Sequence, residues 1–573
     1  MRVLAPTTIA VAVFALATTF AAPATAAVHV HDSVHRTLQQ EGRVSIVLTL
    51  KEQRPDDLLI PTESTSVPEE ADRSADGIGS EATPSPSLTM KKSSKKACTD
   101  HEGEQRHGDT VAGDADTVPA VGGEQVQAMV DRLVQYTEEK HQEVMAVIKQ
   151  DAEDTTTPES GTAKSLWITN EIYIRDATPE LIEKLKEVPS LGSIREEVIA
   201  HVSVKESAAV TMDETDFVGE WGLERIQALD AWKLGYLGRN IRVGSIDTGV
   251  RVTHEALREN YVGQYGWYDP ISKTETPTDP ADHGTGVMGI LAGGQGLGVA
   301  PKAQWMSCRA CDENLRCREA NLLECAQFMT CPFINGDKTK TDCSKKPQVL
   351  NNSWNSERGV TVFENAINVW ISAGIIPVFS NGNNGPGCGT VNSPADSTVG
   401  ITVGATDYDD LLAGFSGRGP GLSGEIKPDL TAPGDNVVAP GATSDDNIKV
   451  FSGTSFAAPH VAGAIALMLE AFPGLTLSEL KSLLYQNTDT SVLSLTSQPT
   501  CGALNSASAF PNNAFGFGRV NVLKAINAQK AAVAAASAAA AASSSARLKW
   551  VYCWKCDHTG RRHELFLPQL KLQ

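Results

Sequence analysis

Between Trp221 and about Ala528 the chain repeats one pattern, a short uninterrupted apolar run followed by a longer stretch with apolar residues at helical spacing. The runs are Ile241–Ile246, Trp305–Ser307, Val349–Asn351, Ile376–Phe379 and Thr398–Val403; Asn321–Thr330 and Val362–Ala373 lie between them as helices. A strand wetted on one side alternates apolar with polar residues. A run without that alternation must be covered on both faces, as in a parallel sheet flanked by helices. The pattern therefore predicts an α/β domain with a mostly parallel central sheet and helices on both faces.

The residues before it are organised differently. Arg2, an apolar stretch from Ile9 to Ala17 and the small residues Ala24-Thr25-Ala26 have the charge, length and cleavage pattern of a secretory signal, 1–26. Residues 27–210 are expected to form a separate α+β unit. Its elements are a strand at Arg43–Leu50, a helix over Glu124–Asp151, a strand around Leu166–Ile174, a helix at Pro179–Glu187 and a strand around Gly192–His201. The insertion 55–123 is rich in Ser, Thr, Pro, Glu, Asp and Gly and lacks the apolar surface to offset the entropy of ordering. After the α/β domain, 211–528, the Ala/Ser-rich stretch 529–546 could be an isolated helix or a linker, and its Ser cluster favours a linker. The basic tail 547–573 carries Cys553, Cys556, His558 and His563, a single cluster too sparse to define a zinc site.

Export governs the cysteines. Eight of the eleven, namely Cys308, Cys311, Cys317, Cys325, Cys331, Cys343, Cys388 and Cys501, can make four bridges in an oxidising compartment. Between Ala27 and Val210 stand 34 acidic and 19 basic side chains, a net of −15, and from Thr211 onward 35 and 29, a net of −6. A chain this acidic has no electrostatic reason to bind nucleic acid, and after the signal no stretch reads as a membrane span.

Three segments carry chemistry. Asp247, in Ser245-Ile-Asp-Thr-Gly-Val250, ends an apolar run; His283, in Asp282-His-Gly-Thr-Gly286, opens a glycine-spaced helix; Ser455, in Gly453-Thr-Ser-Phe-Ala-Ala-Pro459, opens an apolar helix. Each alone could be a cap or turn residue. Together they stand in the order Asp, His, Ser, 36 and then 172 residues apart. With these blocks, residues 221–528 resemble the catalytic domain of the subtilisin-like serine proteases. Gly298-Val-Ala-Pro-Lys-Ala-Gln-Trp305 and Val349-Leu-Asn-Asn-Ser-Trp354 are similar to the bacillopeptidase F branch.

The resemblance implies a subtilisin-like three-layer domain preceded by an α+β propeptide. It implies Ser455 as nucleophile, His283 as general base, Asp247 as its orienting partner, and Asn383 as oxyanion donor, matched through Phe379-Ser-Asn-Gly-Asn-Asn-Gly385. It also implies substrate held as an added strand between Asn352-Ser353-Trp354 and Ser380-Asn381-Gly382. Gly286 stands where the family commonly has a second His, and His460 is taken as structural. The expected partners are protein or peptide substrates and the chain's own propeptide, acting as an inhibitor severed between Lys205 and Phe217. The enzyme is expected to be a secreted monomer needing no cofactor or metal for catalysis; many relatives bind calcium, but no loop here carries a distinctive calcium-ligand pattern. Two other classes compete. A peptide-binding pseudoprotease requires a damaged triad, and an α/β-hydrolase requires G-x-S-x-G and the order Ser, Asp, His; neither is present.

Overall fold

The computed structural model describes residues 27–61, 121–154, 163–203, 221–493, 501, 509–547, 554–556 and 562–564. The signal 1–26, most of the acidic insertion and the segment 205–217 lie outside the described residues.

The N-terminal unit is built from β1 (His29–Val30), α1 (Asp32–Glu41), β2 (Val44–Leu50), α2 (Gly123–Asp154), β3 (Ala163–Leu166), β4 (Glu171–Ala177), α3 (Pro179–Lys186), β5 (Leu191–Glu196) and β6 (Ile199–His201). Five strands form one sheet in the order β1-β5-β2-β4-β3; β6 is not among them. Two expected strands are thus each two. The run Leu166–Ile174 folds back at Trp167–Asn170, where Asn170 takes φ +58°, a left-handed conformation that Asn tolerates better than most residues. The run Gly192–His201 breaks at Glu197, whose carboxylate receives Arg318 at 2.7 Å and the Ala320 N–H at 3.3 Å, and beyond it β6 leaves for another partner.

In the larger unit α4 (Trp221–Arg225) and α5 (Ala228–Lys233) lead into β7 (Arg242–Asp247), β8 (Trp267–Tyr268), α6 (His283–Ala292), β9 (Gln304–Arg309), β10 (Arg316–Arg318) and α7 (Glu319–Thr330). A hairpin, β11 (Phe333–Ile334) with β12 (Asp337–Thr341), precedes β13 (Val349–Asn352), α8 (Glu364–Ser372), β14 (Ile376–Ser380), β15 (Ile401–Thr406) and β16 (Leu430–Pro433). A second hairpin, β17 (Val437–Pro440) with β18 (Ile448–Phe451), is followed by α9 (Thr454–Ala471), α10 (Leu477–Gln486) and α11 (Val522–Arg547).

Seven strands form an all-parallel sheet in the order β16-β15-β14-β13-β7-β9-β8. On one face α6 and α9 bury Met288, Leu291, Val461 and Ile465 against Val243, Val349, Val378 and Val403. On the other, α7 and α8 bury Leu322, Phe328, Ile367 and Trp370 against Ile246, Leu350 and Phe379. This is the three-layer arrangement expected. By length and composition α9 could cross a membrane, but 16 of its 18 residues are buried as the core helix. The stretch 529–546 is not an irregular linker. It continues α11 as helix, because Ala has the highest helix propensity of any residue and Ser costs only a few tenths of a kcal/mol more at each position.

The eight cysteines lie at bonding distance as Cys308–Cys325, Cys311–Cys317, Cys331–Cys343 and Cys388–Cys501. Cys308 and Cys311 are therefore not partners of each other. Among the described residues no group of three or more His, Cys, Asp or Glu is placed to hold a metal ion.

Candidate active site

Chain order reverses across the sheet at the β7–β13 boundary, and crevices form at such points outside the carboxyl ends of the strands. Three adjacent strands, β7, β13 and β14, end there and deliver Asp247, Asn352–Trp354 and Ser380–Asn383 to one edge. The helices α6 and α9 point their N-termini at the same edge and bring His283 and Ser455.

Asp247 Oδ1 accepts from His283 Nδ1 at 2.7 Å and from the Thr248 N–H at 2.7 Å, with both side chains fully buried. Nδ1 is consequently the protonated nitrogen, leaving the Nε2 lone pair free of partners among the described residues. The imidazole lies 5.1 Å from the Phe456 ring, centroid to centroid, which limits its rotation. Gly284 lets the start of α6 pack against the turn after Asp247: a Cβ there would fall 2.1 Å from the Gly249 carbonyl oxygen and 3.1 Å from Asp247 Oδ1.

Asp279, four residues before His283, was not singled out from the sequence. Its Oδ1 accepts from Thr248 Oγ1 at 2.8 Å and Ala281 N at 3.0 Å; its Oδ2 accepts from Thr285 N at 2.9 Å and Thr285 Oγ1 at 2.7 Å. One buried carboxylate thus clamps the turn after Asp247 to the first turn of the histidine helix. Burial raises its pKa, opposed by the hydrogen bonds from Thr285, Ala281 and Thr248. The signal available beforehand was an Asp just ahead of a helix start.

Ser455 is the second residue of α9, and the proline in its motif has a local purpose. Pro459 has no N–H, so the Ser455 carbonyl loses its intrahelical donor; Ser353 Oγ supplies one at 2.7 Å and itself accepts from Asn351 Nδ2 at 2.9 Å. The end of β13 is thereby tied to the backbone of the candidate nucleophile. In this conformation Ser455 Oγ donates to the Ser353 carbonyl at 3.4 Å and not to His283.

Asn383 has a settled orientation. Its Oδ1 accepts from Thr454 N at 2.9 Å and Thr454 Oγ1 at 2.8 Å, and its Nδ2 donates to the Ser203 carbonyl at 2.7 Å. A backbone N–H can only donate, so the carboxamide cannot be turned over. Of the other expected site residues, Asn352 Nδ2 donates to the Leu350 carbonyl at 3.3 Å, Ser380 bonds Asn355, and Asn381 Nδ2 donates to the Gly417 carbonyl. Gly382 sits at φ +90°, where a Cβ would meet Asn392 Oδ1 at 2.4 Å. Trp354 is buried edge-on to Phe363 and Phe379, at 4.9 and 6.4 Å. His460 is buried in α9 and bonds the Phe456 carbonyl through Nδ1 at 2.8 Å.

An aspartate–histidine pair at a parallel sheet's switch point, with a serine at the N-terminus of a helix reaching the same edge, is the arrangement expected of a subtilisin-like serine peptidase. Comparison with known proteins agrees. Residues 238–518 match the subtilase family. Bacillopeptidase F of Bacillus subtilis (strain 168) is 31% identical over 433 residues, 70% of this chain and 28% of the relative. Minor extracellular protease Epr of the same strain is 29% identical over 318 residues, 54% of this chain and 45% of the relative. Subtilisin E of that strain is 30% identical over 324 residues, 54% of this chain and 75% of the relative. The chain belongs to the subtilase family of serine peptidases, and it spans less than half the length of the first two of these relatives.

Proposed function

We propose that the chain is the precursor of a secreted serine endopeptidase that cleaves peptide bonds through Asp247, His283 and Ser455, with residues 27–210 as a self-severed inhibitory propeptide. The observation that carries the reading is the buried 2.7 Å contact of His283 Nδ1 with Asp247, which leaves Nε2 as the base. Nε2 takes the Ser455 proton as Oγ attacks the substrate carbonyl, and the carboxylate of Asp247 stabilises the imidazolium that forms. Asn383 Nδ2 and the backbone N–H of Ser455 receive the oxyanion, and the positive end of α9 favours the same charge. His283 then gives its proton to the leaving amine, and water opens the acyl-enzyme. Substrate lies as an added strand, not between Asn352–Trp354 and Ser380–Gly382 as the resemblance implied but in the place of residues 199–202, between Asn355 and the Leu315–Arg318 segment. The signal at 1–26 and the four cysteine pairs suit an oxidising extracellular setting, and two of the named relatives are extracellular or subtilisin proteases.

The test is Ser455→Ala in a host without other secreted proteases. Casein hydrolysis falls about a millionfold, and the chain is secreted uncut from Ala27. An organophosphonate labels Ser455 alone in the parent chain. Full activity after that treatment, or label on another serine, sinks the assignment.

A further inference from the structure

We propose that the bond this precursor opens in itself is Ser203–Val204, and that Ala200, Val202 and Ser203 state the residue preference of its cleft. The inference rests on Ser455 being the nucleophile. It places the cut just before the segment Lys205–Phe217 expected from the sequence.

The register of β6 carries it. Ile199, Ala200 and His201 pair antiparallel with Arg318, Cys317 and Arg316 of β10. On its other edge His201 exchanges both backbone bonds with Asn355, N–H to O at 2.7 Å and O to H–N at 2.9 Å. Val202 N–H then donates to the Leu315 carbonyl at 3.0 Å. Residues 199–202 therefore lie as the middle strand of three, with both outer segments from the α/β domain. The next carbonyl, that of Ser203, accepts from Asn383 Nδ2 at 2.7 Å, the donor whose orientation Thr454 settles. Gly453, two residues before Ser455, adjoins it: a Cβ there would stand 3.5 Å from the Ser203 oxygen and 3.1 Å from Asn383 Nδ2. The carbon presented to Ser455 is the carbonyl carbon of Ser203.

The register is not free to slip. Ala200 and Val202 are buried and His201 is exposed, and a shift of one residue would reverse all three. Upstream the strand is pinned to α7, which lacks a side-chain cap of its own. Glu319 N–H donates to the Val198 carbonyl at 3.0 Å, the Glu319 carboxylate accepts the Val198 N–H at 2.9 Å, and Arg195 forks onto the same carboxylate at 2.6 and 2.7 Å.

The chemistry balances with water as the only co-reactant. Ser455 Oγ bonds to the Ser203 carbonyl carbon while its proton passes to His283 Nε2. The Ser203 C–Val204 N bond then breaks and that proton leaves on the Val204 amine. Water, deprotonated by the same histidine, releases Ser203 as a carboxylate and restores Ser455. The buried faces of Ala200 and Val202, with the small Ser203 beside Asn383, define the preferred peptide: small and apolar in the fourth place before the cut, β-branched in the second, small in the first. The third place, held by His201, is open to solvent.

Intact mass of the N-terminal fragment released by the full-length chain, expressed without other secreted proteases, decides the bond. A fragment ending at Ser203 is expected, whatever later trimming removes from the other side. A fragment ending at any other residue overturns the bond and leaves the triad standing. If Ser455→Ala is cut at Ser203 all the same, self-cleavage is overturned and the fault lies in the reading beneath it. Independently, the mature enzyme cleaves an Ala-His-Val-Ser anilide with kcat/KM at least about tenfold above the His-Ala-Ser-Val isomer. Equal rates overturn the stated preference.

Discussion

The two units hold their cores by different means. The α/β domain encloses one apolar cluster contributed wholly by its own residues, from Leu223 to Ile526. The N-terminal unit closes only one side of its sheet alone, burying Ile46, Leu48, Ile172 and Ile194 under Val34 of α1, Val144 and Ile148 of α2, and Leu181 and Leu185 of α3. From the other side Val47 and Tyr173 join a cluster shared with α7 and α8 of its neighbour. The 32 residues of α2, about 48 Å of helix, serve both: Val126, Met129, Val130 and Leu133 face the shared cluster, Val144 and Ile148 the private one. Both parts of the chain are net negative, so long-range attraction does not join them. Apolar burial and a few specific ion pairs do. A unit with half its core on another surface is stable while docked and much less so alone, which is consistent with the removal proposed for it.

The sharpest way to break that contrast is Arg195→Ala. Arg195 joins Glu171 at 3.0 Å and Glu319 at 2.6 Å, and the Glu319 side chain is fully buried. Removing one partner of such a pair typically costs about 3–5 kcal/mol, because the other charge stays buried. The released N-terminal unit with Arg195→Ala, added back to mature enzyme, will inhibit at least about a hundredfold less well while kcat is unchanged. Unchanged inhibition would mean that apolar contact alone holds the units together.

Asn383→Ala comes next and separates the two roles of one side chain. Loss of an oxyanion donor lowers kcat roughly 100- to 1,000-fold with little change in KM. Self-cleavage slows equally, and thermal unfolding moves little. A collapse in stability would instead make the Thr454 contacts the residue's main contribution.

The third prediction sets the domain's core against pH. Burial lowers the pKa of His460 to about 4, against an ordinary value of 6.5. Above pH 6.5 the group is neutral folded or unfolded. Between 6.5 and about 4 only the unfolded chain takes up the proton, so stability falls with falling pH by about 3 kcal/mol in all. In a Ser455→Ala background, which cannot digest itself, His460→Gln will flatten that acid limb of the denaturant midpoint. An unchanged limb would assign acid sensitivity to other groups.

The sequence by itself determined the alternation that makes a covered parallel sheet and the three blocks carrying Asp247, His283 and Ser455. Apolar periodicity and glycine spacing are local properties that survive without knowing any partner. It also placed most of β2, α2 and α3, whose patterns run long enough to be unambiguous. Only the tertiary structure divided Leu166–Ile174 into two strands, since the turn depends on a left-handed Asn170 that tolerates but does not demand it. It alone paired Cys308 with Cys325 rather than Cys311, and set Asp279 between Thr248 and Thr285. Whether Ser203 or a later residue meets Asn383 was likewise decided there. Strand register is an agreement between two segments more than a hundred residues apart, and neither segment's sequence contains it.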